Sequence, residues 1–283
     1  MRNDFAVLIL SHGRPDRVET IKTLHKCGYT GKWYIVIDDE DATRDQYEKL
    51  YGKEHIVVFS KRAVAYRTDT MENSGRMNAV VYARNECFTI ANSLGIKYFL
   101  ELDDDYCRFE YRYAQGEKLM TYLIDDFDYV VDIMIDFLDN SGAVTVAFAQ
   151  GGDLIGGKES PRFKMKLIRK AMNSFFCTTD RPFDFIGLMN DDVNTYCLEG
   201  SRGDLFFTVA ALSLVQVPTQ KASGGLTELY EESGTYEKSF YSVMCCPSFI
   251  KIAEMGCHHR RIHHLIDWEH GVPKILSESY KVK

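Results

Sequence analysis

The sequence predicts an α/β fold: a central, mostly parallel sheet flanked by helices. Three observations predict it. Apolar runs of strand length alternate with helical stretches through the first half, three of those runs end on polar clusters, and no linker-like stretch divides the chain. The expected organisation is therefore one domain over residues 1–283, with a ligand-binding half over about 1–113 and a second half over about 114–283.

The elements follow in order. Phe5 to Leu10 is a continuous apolar run, as a strand buried on both faces requires. After Ser11-His12-Gly13-Arg14-Pro15, a helix is expected from Asp16 to Lys26, stopped by Cys27-Gly28. Trp33 to Ile37 reads as the second strand and ends on Asp38-Asp39-Glu40-Asp41. A short helix from Arg44 to Tyr51 and a strand from His55 to Phe59 come next. The clearest helix spans Asn78 to Leu94, with Val80, Ala83, Cys87, Ile90, Ala91 and Leu94 as its apolar stripe and Gly95 as its stop. Lys97 to Leu102 then forms a strand that runs into Asp103-Asp104-Asp105. The second half is less regular, with a helix expected over Asp128 to Leu138, a strand over Ala143 to Phe148 and a short helix over Asp192 to Cys197.

Composition excludes several functions. A net charge of −7 argues against a broad nucleic-acid or anionic-membrane footprint, although a local basic surface remains open to DNA. The best such segment is Lys158 to Lys170, with Arg260 and Arg261 second. No apolar run is long enough to cross a bilayer, and no secretory leader is expected before Phe5. The eight cysteines show no CxxC pair or regular spacing, which points to reduced thiols and a cytoplasmic location.

In open α/β sheets, ligands sit beyond the carboxyl ends of strands. Here three strands end in polar signals, at Ser11–Arg17, Asp38–Asp41 and Asp103–Asp105. Three adjacent carboxylates are costly at a buried strand end unless a cation neutralises them. Hard cations such as Mg²⁺ or Mn²⁺ accept oxygen ligands and complete their shell with substrate phosphates. In an extended segment the first and third side chains point one way and the middle one the other. Asp103 and Asp105 are therefore the expected metal ligands, and Asp104 the residue that points away. A second run, Gly152 to Lys158, fits GxxxxGK, but Glu159 stands where a phosphate-binding loop needs Ser or Thr, and Pro161 follows closely. It reads instead as a loop whose glycines permit close approach of an acceptor, with Gln150, Gly151, Gly152 and Asp153 as candidate contacts.

The order of strand plus SHGRP, strand plus DDED, the helix with Tyr82-Ala83-Arg84-Asn85, and FLELDDD resembles a GT-A glycosyltransferase. Asn190-Asp191-Asp192-Val193 resembles the xED element of that fold, with Asp191 in place of the usual Glu. Together with AFAQGGD, NSFF and RIHH, the set is similar to phage glycosyltransferases associated with hypermodification of hydroxymethylated pyrimidines in DNA. The resemblance implies a nucleotide-sugar donor, a UDP-sugar first, with modified DNA as acceptor and Mn²⁺ or Mg²⁺ as cofactor. It places Ser11, Gly13, Arg14, Asp38, Asp39, Arg76, Arg84, Asn85 and Asp104 at the donor. Asp192, beside Asp191, is implied as the base that takes the acceptor proton in an inverting displacement. It also implies a C-terminal histidine as a further metal ligand, His264 or His263; if that segment is extended, neighbours point oppositely and only one of the pair reaches the metal.

The residues themselves leave alternatives open. An acidic pair before a helix also caps it, a helix arginine near acidic strand ends also forms structural ion pairs, and late histidines also line surface turns. A transferase for cell-surface glycans, or a non-catalytic sugar- or DNA-binding module, remains the competing function.

Overall fold

A computed structural model describes residues 1–217, 227–255 and 261–273. The first four strands of the central sheet are parallel. They are β1 (Phe5–Leu10), β2 (Lys32–Asp38), β3 (Ile56–Phe59) and β4 (Tyr98–Asp103), in the spatial order β3-β2-β1-β4. Between them lie α1 (Glu19–Lys26), α2 (Arg44–Tyr51), α3 (Lys61–Arg67) and α4 (Val81–Ser93). Every residue of β1 is buried, as its unbroken apolar run requires. Gly95 ends the α4 region with a positive φ of 66°, the left-handed turn for which glycine is suited.

The chain then makes a hairpin that sequence periodicity did not reveal, β5 (Tyr106–Gln115) and β6 (Lys118–Leu123), followed by α5 (Phe127–Ser141). β7 (Thr145–Ala149), the short β8 (Leu167–Ile168), β9 (Ser174–Thr178) and β10 (Phe206–Gln216) complete the sheet, with α6 (Pro161–Met165) and α7 (Asp191–Arg202) between them. The main order is β3-β2-β1-β4-β9-β7-β10-β5-β6, with β8 against β10. β9 runs antiparallel to both β4 and β7, so β4 and β7 point the same way and their carboxyl ends share one edge. α8 (Thr227–Cys245) and a separate ribbon of β11 (Ile250–Met255) and β12 (Arg261–Ile266) follow.

Several expectations shift. The helix expected from Asp16 opens as a 3-10 turn, Pro15–Arg17, before α1. α7 continues to Arg202, well past Cys197, and α3 was not anticipated. The α4 stripe is rotated: Val80 and Ala83 are half-buried and Leu94 is exposed, whereas Val81, Tyr82, Arg84, Asn85 and Phe88 are buried. The reason is tertiary, because the loop carrying Phe183 and Phe185 covers a face that amphipathicity assigned to solvent. The glycine segment after β7 forms two short 3-10 turns, Gly151–Leu154 and Gly157–Glu159.

Candidate active site

Strand alternation divides the acids of β4 between two flanks. Phe99 packs in the cluster that contains α4, whereas Leu100 and Leu102 pack in the cluster that contains α1 and Tyr47. Glu101 and Asp103 share the phase of Phe99 and meet Arg84 of α4. Asp104, the first residue of the turn into β5, lies on the other side.

On the first flank a single buried guanidinium faces a crowd of carboxylates. Arg84 lies 2.8 Å from Asp191, 3.3 Å from Glu101 and 3.7 Å from Asp103. Among the described residues, the ion pairs of those three acids all go to Arg84, and the field of Asp192 adds to theirs. The acids are under-neutralised. Burial, reinforced by Asp103 and Asp191, pushes the Glu101 carboxyl up to about 8. Burial and Asp192 likewise raise the Asp191 carboxyl against the pull of Arg84. Asp105 is pushed up to about 6 by burial and by Asp103 and Asp104, with one hydrogen bond from Gln216 at 3.3 Å. The Tyr106 hydroxyl donates to Asp103 at 3.1 Å.

On the second flank every buried acid has a fixed partner. Asp104 is 1% exposed and accepts from the Ser11 hydroxyl at 2.5 Å and from Arg14 Nε at 2.8 Å. Tyr47 joins them, 2.7 Å from the Ser11 hydroxyl and accepting from the Arg14 amide at 3.1 Å. Asp38 is held by His12 Nδ1 at 2.7 Å and Lys61 Nζ at 3.1 Å. Asp41 accepts from the Gly13 amide at 2.8 Å. Gly13 has a φ of 68°, so a side chain there would be strained even though the space is open. Asp39 is exposed, its carboxylate bonded to the Lys61 amide. Strand-end motifs signalled Asp38 and Asp39. His12 and Asp41 lay inside the quoted runs without being singled out, and nothing in the sequence marked Lys61 or Tyr47.

Some expected contacts have other work in the fold. Arg84 is 3% exposed and stacked near Phe175 and Phe185, so it lies beneath the site and not on its surface. Asn85 accepts from the Phe185 amide and donates to the Phe185 carbonyl and to Thr68, so its amide clamps the neighbouring loop. Asp153 is 2% exposed and bound to Lys170, Arg162 and the Gln150 amide, which makes it the anchor of its loop. Gly151 and Gly152 are exposed in the 3-10 turn, and Gln150 is half-buried with Nε2 unpartnered among the described residues. Arg76 is half-buried with one guanidinium nitrogen unpartnered among them.

Asp191 and Asp192 are the first residues of α7, while Asn190, in the left-handed region with φ 51°, occupies the cap position. Neither acid is therefore the cap. Asp191 is tied to Arg84, whereas Asp192 accepts only from the adjacent Val193 amide among the described residues.

His263 and His264 lie on β12, with rings 4.2 Å apart and not splayed to opposite sides as strand alternation suggests. A two-stranded ribbon twists more strongly than a wide sheet, which relaxes that alternation. Burial, with His263, Lys238 and Lys170 nearby, lowers the His264 imidazole to about 4. No group of three or more His, Cys, Asp or Glu residues is assembled as a metal cage among the described residues. His258, His259 and Arg260 lie outside those residues. No helix among the described residues is long and apolar enough to cross a membrane.

No curated protein is significantly similar. Among solved structures, glucosyl-3-phosphoglycerate synthase from Mycobacterium tuberculosis in complex with Mg²⁺ and UDP superposes with a TM-score of 0.49 at 10% identity, over 93% of this chain and 88% of that one. The same enzyme with Mn²⁺ and UDP-glucose gives 0.48 at 9% identity, over 93% and 87%. Nothing about the ligands of this chain follows from likeness at that level. The model of the TET-associated glycosyltransferase family matches residues 5–225, most of the chain. The chain belongs to the TET-associated glycosyltransferase family and is a glycosyltransferase.

Proposed function

We propose that this chain is a metal-dependent GT-A transferase that moves a sugar from a nucleotide-sugar donor, a UDP-sugar first, to the hydroxyl of hydroxymethylcytosine or a related hydroxymethylpyrimidine in DNA. One observation carries the donor half of this reading. The carboxylates around Arg84 and Asp105 outnumber the positive groups that the fold supplies, at the sheet edge where α/β ligands bind.

Asp103 and Asp105 fit a hard divalent cation: both are oxygen donors at one turn, and burial among like charges leaves Asp105 in need of a positive neighbour. The protein offers no closed cage among the described residues, which suits an ion that shares its shell with a diphosphate. A cation held there would supply charge neutralisation to the departing nucleoside diphosphate. Gly13, Arg14 and the exposed Asp39 border the place for the nucleoside. Asp192 takes the proton of the acceptor hydroxyl as its oxygen bonds to the anomeric carbon and the bond to the diphosphate breaks. Asp192 is better suited than Asp191 because Arg84 already occupies the Asp191 carboxylate.

The acceptor half rests on the family and on a local surface. β7 delivers the segment after Ala149 to the same edge as Asp103, and in that segment Arg162, Lys164 and Lys166 are exposed. A local basic segment at that edge, on a protein of net charge −7, would suit a phosphodiester acceptor once Arg162 and Lys164 exchange Asp153 and Glu159 for phosphate. The seven described cysteines are all free thiols, in keeping with a reducing cytoplasm.

The test is incubation with a panel of nucleotide sugars, Mn²⁺ and hydroxymethylcytosine-containing DNA, followed by mass spectrometry of the nucleosides. A hexose or pentose mass gain on the modified base is expected. Gain on a small glycan with none on any DNA would remove the DNA reading and leave the transferase.

A further inference from the structure

Asp104 is a buried carboxylate with an unusual allotment of partners. Its Oδ2 takes both the Ser11 hydroxyl and Arg14 Nε, while its Oδ1 is buried with no hydrogen-bond partner among the described residues. A carboxylate 1% exposed with one oxygen unused is costly to the fold. The bond it makes to arginine is also not the two-pronged one that maximises stability. Nε is occupied, whereas among the described residues no hydrogen bond goes to either terminal nitrogen of Arg14. The Arg14 side chain stays 30% exposed, and its charge is felt at Asp105 as well as at Asp104.

The neighbours keep this geometry from relaxing. The Thr20 amide donates to the Asp104 carbonyl at 3.1 Å, and the Thr20 hydroxyl donates to the Asp103 carbonyl at 2.6 Å. That hydroxyl in turn accepts from the Tyr106 amide at 3.0 Å. The Arg14 backbone is fixed through Tyr47, which is also bonded to Ser11. Both ends of the Asp104–Arg14 contact are thus anchored to the frame, and only the terminal guanidinium nitrogens point past it.

We propose that Asp104 is a positioning residue: it grips Arg14 by Nε so that the two terminal nitrogens face the donor diphosphate beside Asp103 and Asp105. This inference rests on the nucleotide-sugar reading above and assigns Asp104 no contact with the donor. A planar guanidinium matches two phosphate oxygens at once, which an ammonium does not. Held by its inner nitrogen, Arg14 arrives at the phosphates already oriented, so less conformational freedom is lost on binding.

The experiment is a double-mutant cycle read by equilibrium binding of nucleoside diphosphates (uridine, guanosine, adenosine and cytidine) in Mn²⁺ buffer, with no turnover. Asp104→Asn keeps the shape and the Ser11 contact but removes the charge that holds Nε. It is expected to weaken binding about tenfold in the wild-type background. In an Arg14→Ala background the same change is expected to have little further effect. Arg14→Lys is expected to fall near Arg14→Ala. Circular dichroism and thermal melts establish that each variant is folded. Should Asp104→Asn be unstable, the Arg14 pair carries the test: Arg14→Lys binding as tightly as wild type would overturn the inference, because an ammonium has no inner nitrogen for Asp104 to grip. Undiminished binding by folded Asp104→Asn, or losses that simply add, also overturns it and leaves the donor reading intact. Failure of the wild-type chain to bind any of the four overturns the donor reading and this inference with it.

Discussion

The two flanks of β4 carry similar numbers of buried acids and treat them in opposite ways. Toward β1 and β2, Asp38, Asp41 and Asp104 each meet a fixed donor from His12, Lys61, Gly13, Ser11 or Arg14. Toward α4 and α7, Glu101, Asp103 and Asp191 crowd around Arg84 alone among the described residues; at the turn beyond β4, Asp105 receives a single amide hydrogen bond, from Gln216, among those residues. A buried carboxylate with its full set of donors stabilises the fold, and one without them destabilises it. Asp38 and Asp41 are therefore framework, whereas Asp104, with Oδ1 unpartnered among the described residues and its carboxyl pushed up by burial, is only partly compensated. On the reading proposed above, the flank around Arg84 is where an external cation would lower the free energy most.

The hardest way to break this comparison is to remove Arg84. Arg84→Met should cost about 3–5 kcal/mol of stability, because the buried Glu101 and Asp191 and the half-buried Asp103 lose their shared partner. Urea unfolding measures it, and a loss under about 1 kcal/mol would mean that Arg84 is not the keystone of that flank.

Asp105→Asn sharpens the comparison by splitting stability from activity. Transferase activity should fall about 100-fold or more, since the cation loses a ligand. The same change relieves repulsion from Asp103 and Asp104, so metal-free stability at neutral pH should rise, by about 1 kcal/mol or less. Mn²⁺ should raise the Tm of the wild type and leave that of the variant unmoved. A variant that melts lower than wild type without metal contradicts the under-neutralised picture.

The smallest effect lies on the compensated flank and is read by pH. The Asp38 hydrogen bond raises the His12 imidazole above its ordinary 6.5, despite partial burial that acts the other way. The folded state thus binds this proton more tightly than the unfolded chain does. The resulting stability is fully present below 6.5 and is lost as pH rises through the folded value. The difference in Tm between wild type and His12→Gln should shrink across that window, and a difference that grows with pH would refute the pairing.

Much of the left side of the fold was legible. β1, β2, α2 and β4 fall within a residue of the expected bounds, because buried parallel strands are written as unbroken apolar runs. The β5–β6 hairpin was not, since β6 is a largely exposed edge strand whose residues, Lys118 to Leu123, lack a clean alternation. In the candidate site, Asp103, Asp105 and Asp192 were legible as acids clustered at element ends, and the roles proposed for them await test. Lys61 and Gln216 were not, because their positions relative to Asp38 and Asp105 depend on how distant elements meet.

The sequence by itself determined the α/β class, the polar strand ends and the excess of carboxylate around residues 101–105, since these follow from local periodicity and composition. Only the tertiary structure decided which acids are neutralised. It buried Arg84 and Asn85 where a donor-contacting pair was expected, and turned Asp153 into a loop anchor. It also gave Asp104 to Arg14 and Ser11. The reason is that a charge is compensated by whatever lies within a few ångströms in space, and those neighbours come from 9 to 107 residues away along the chain.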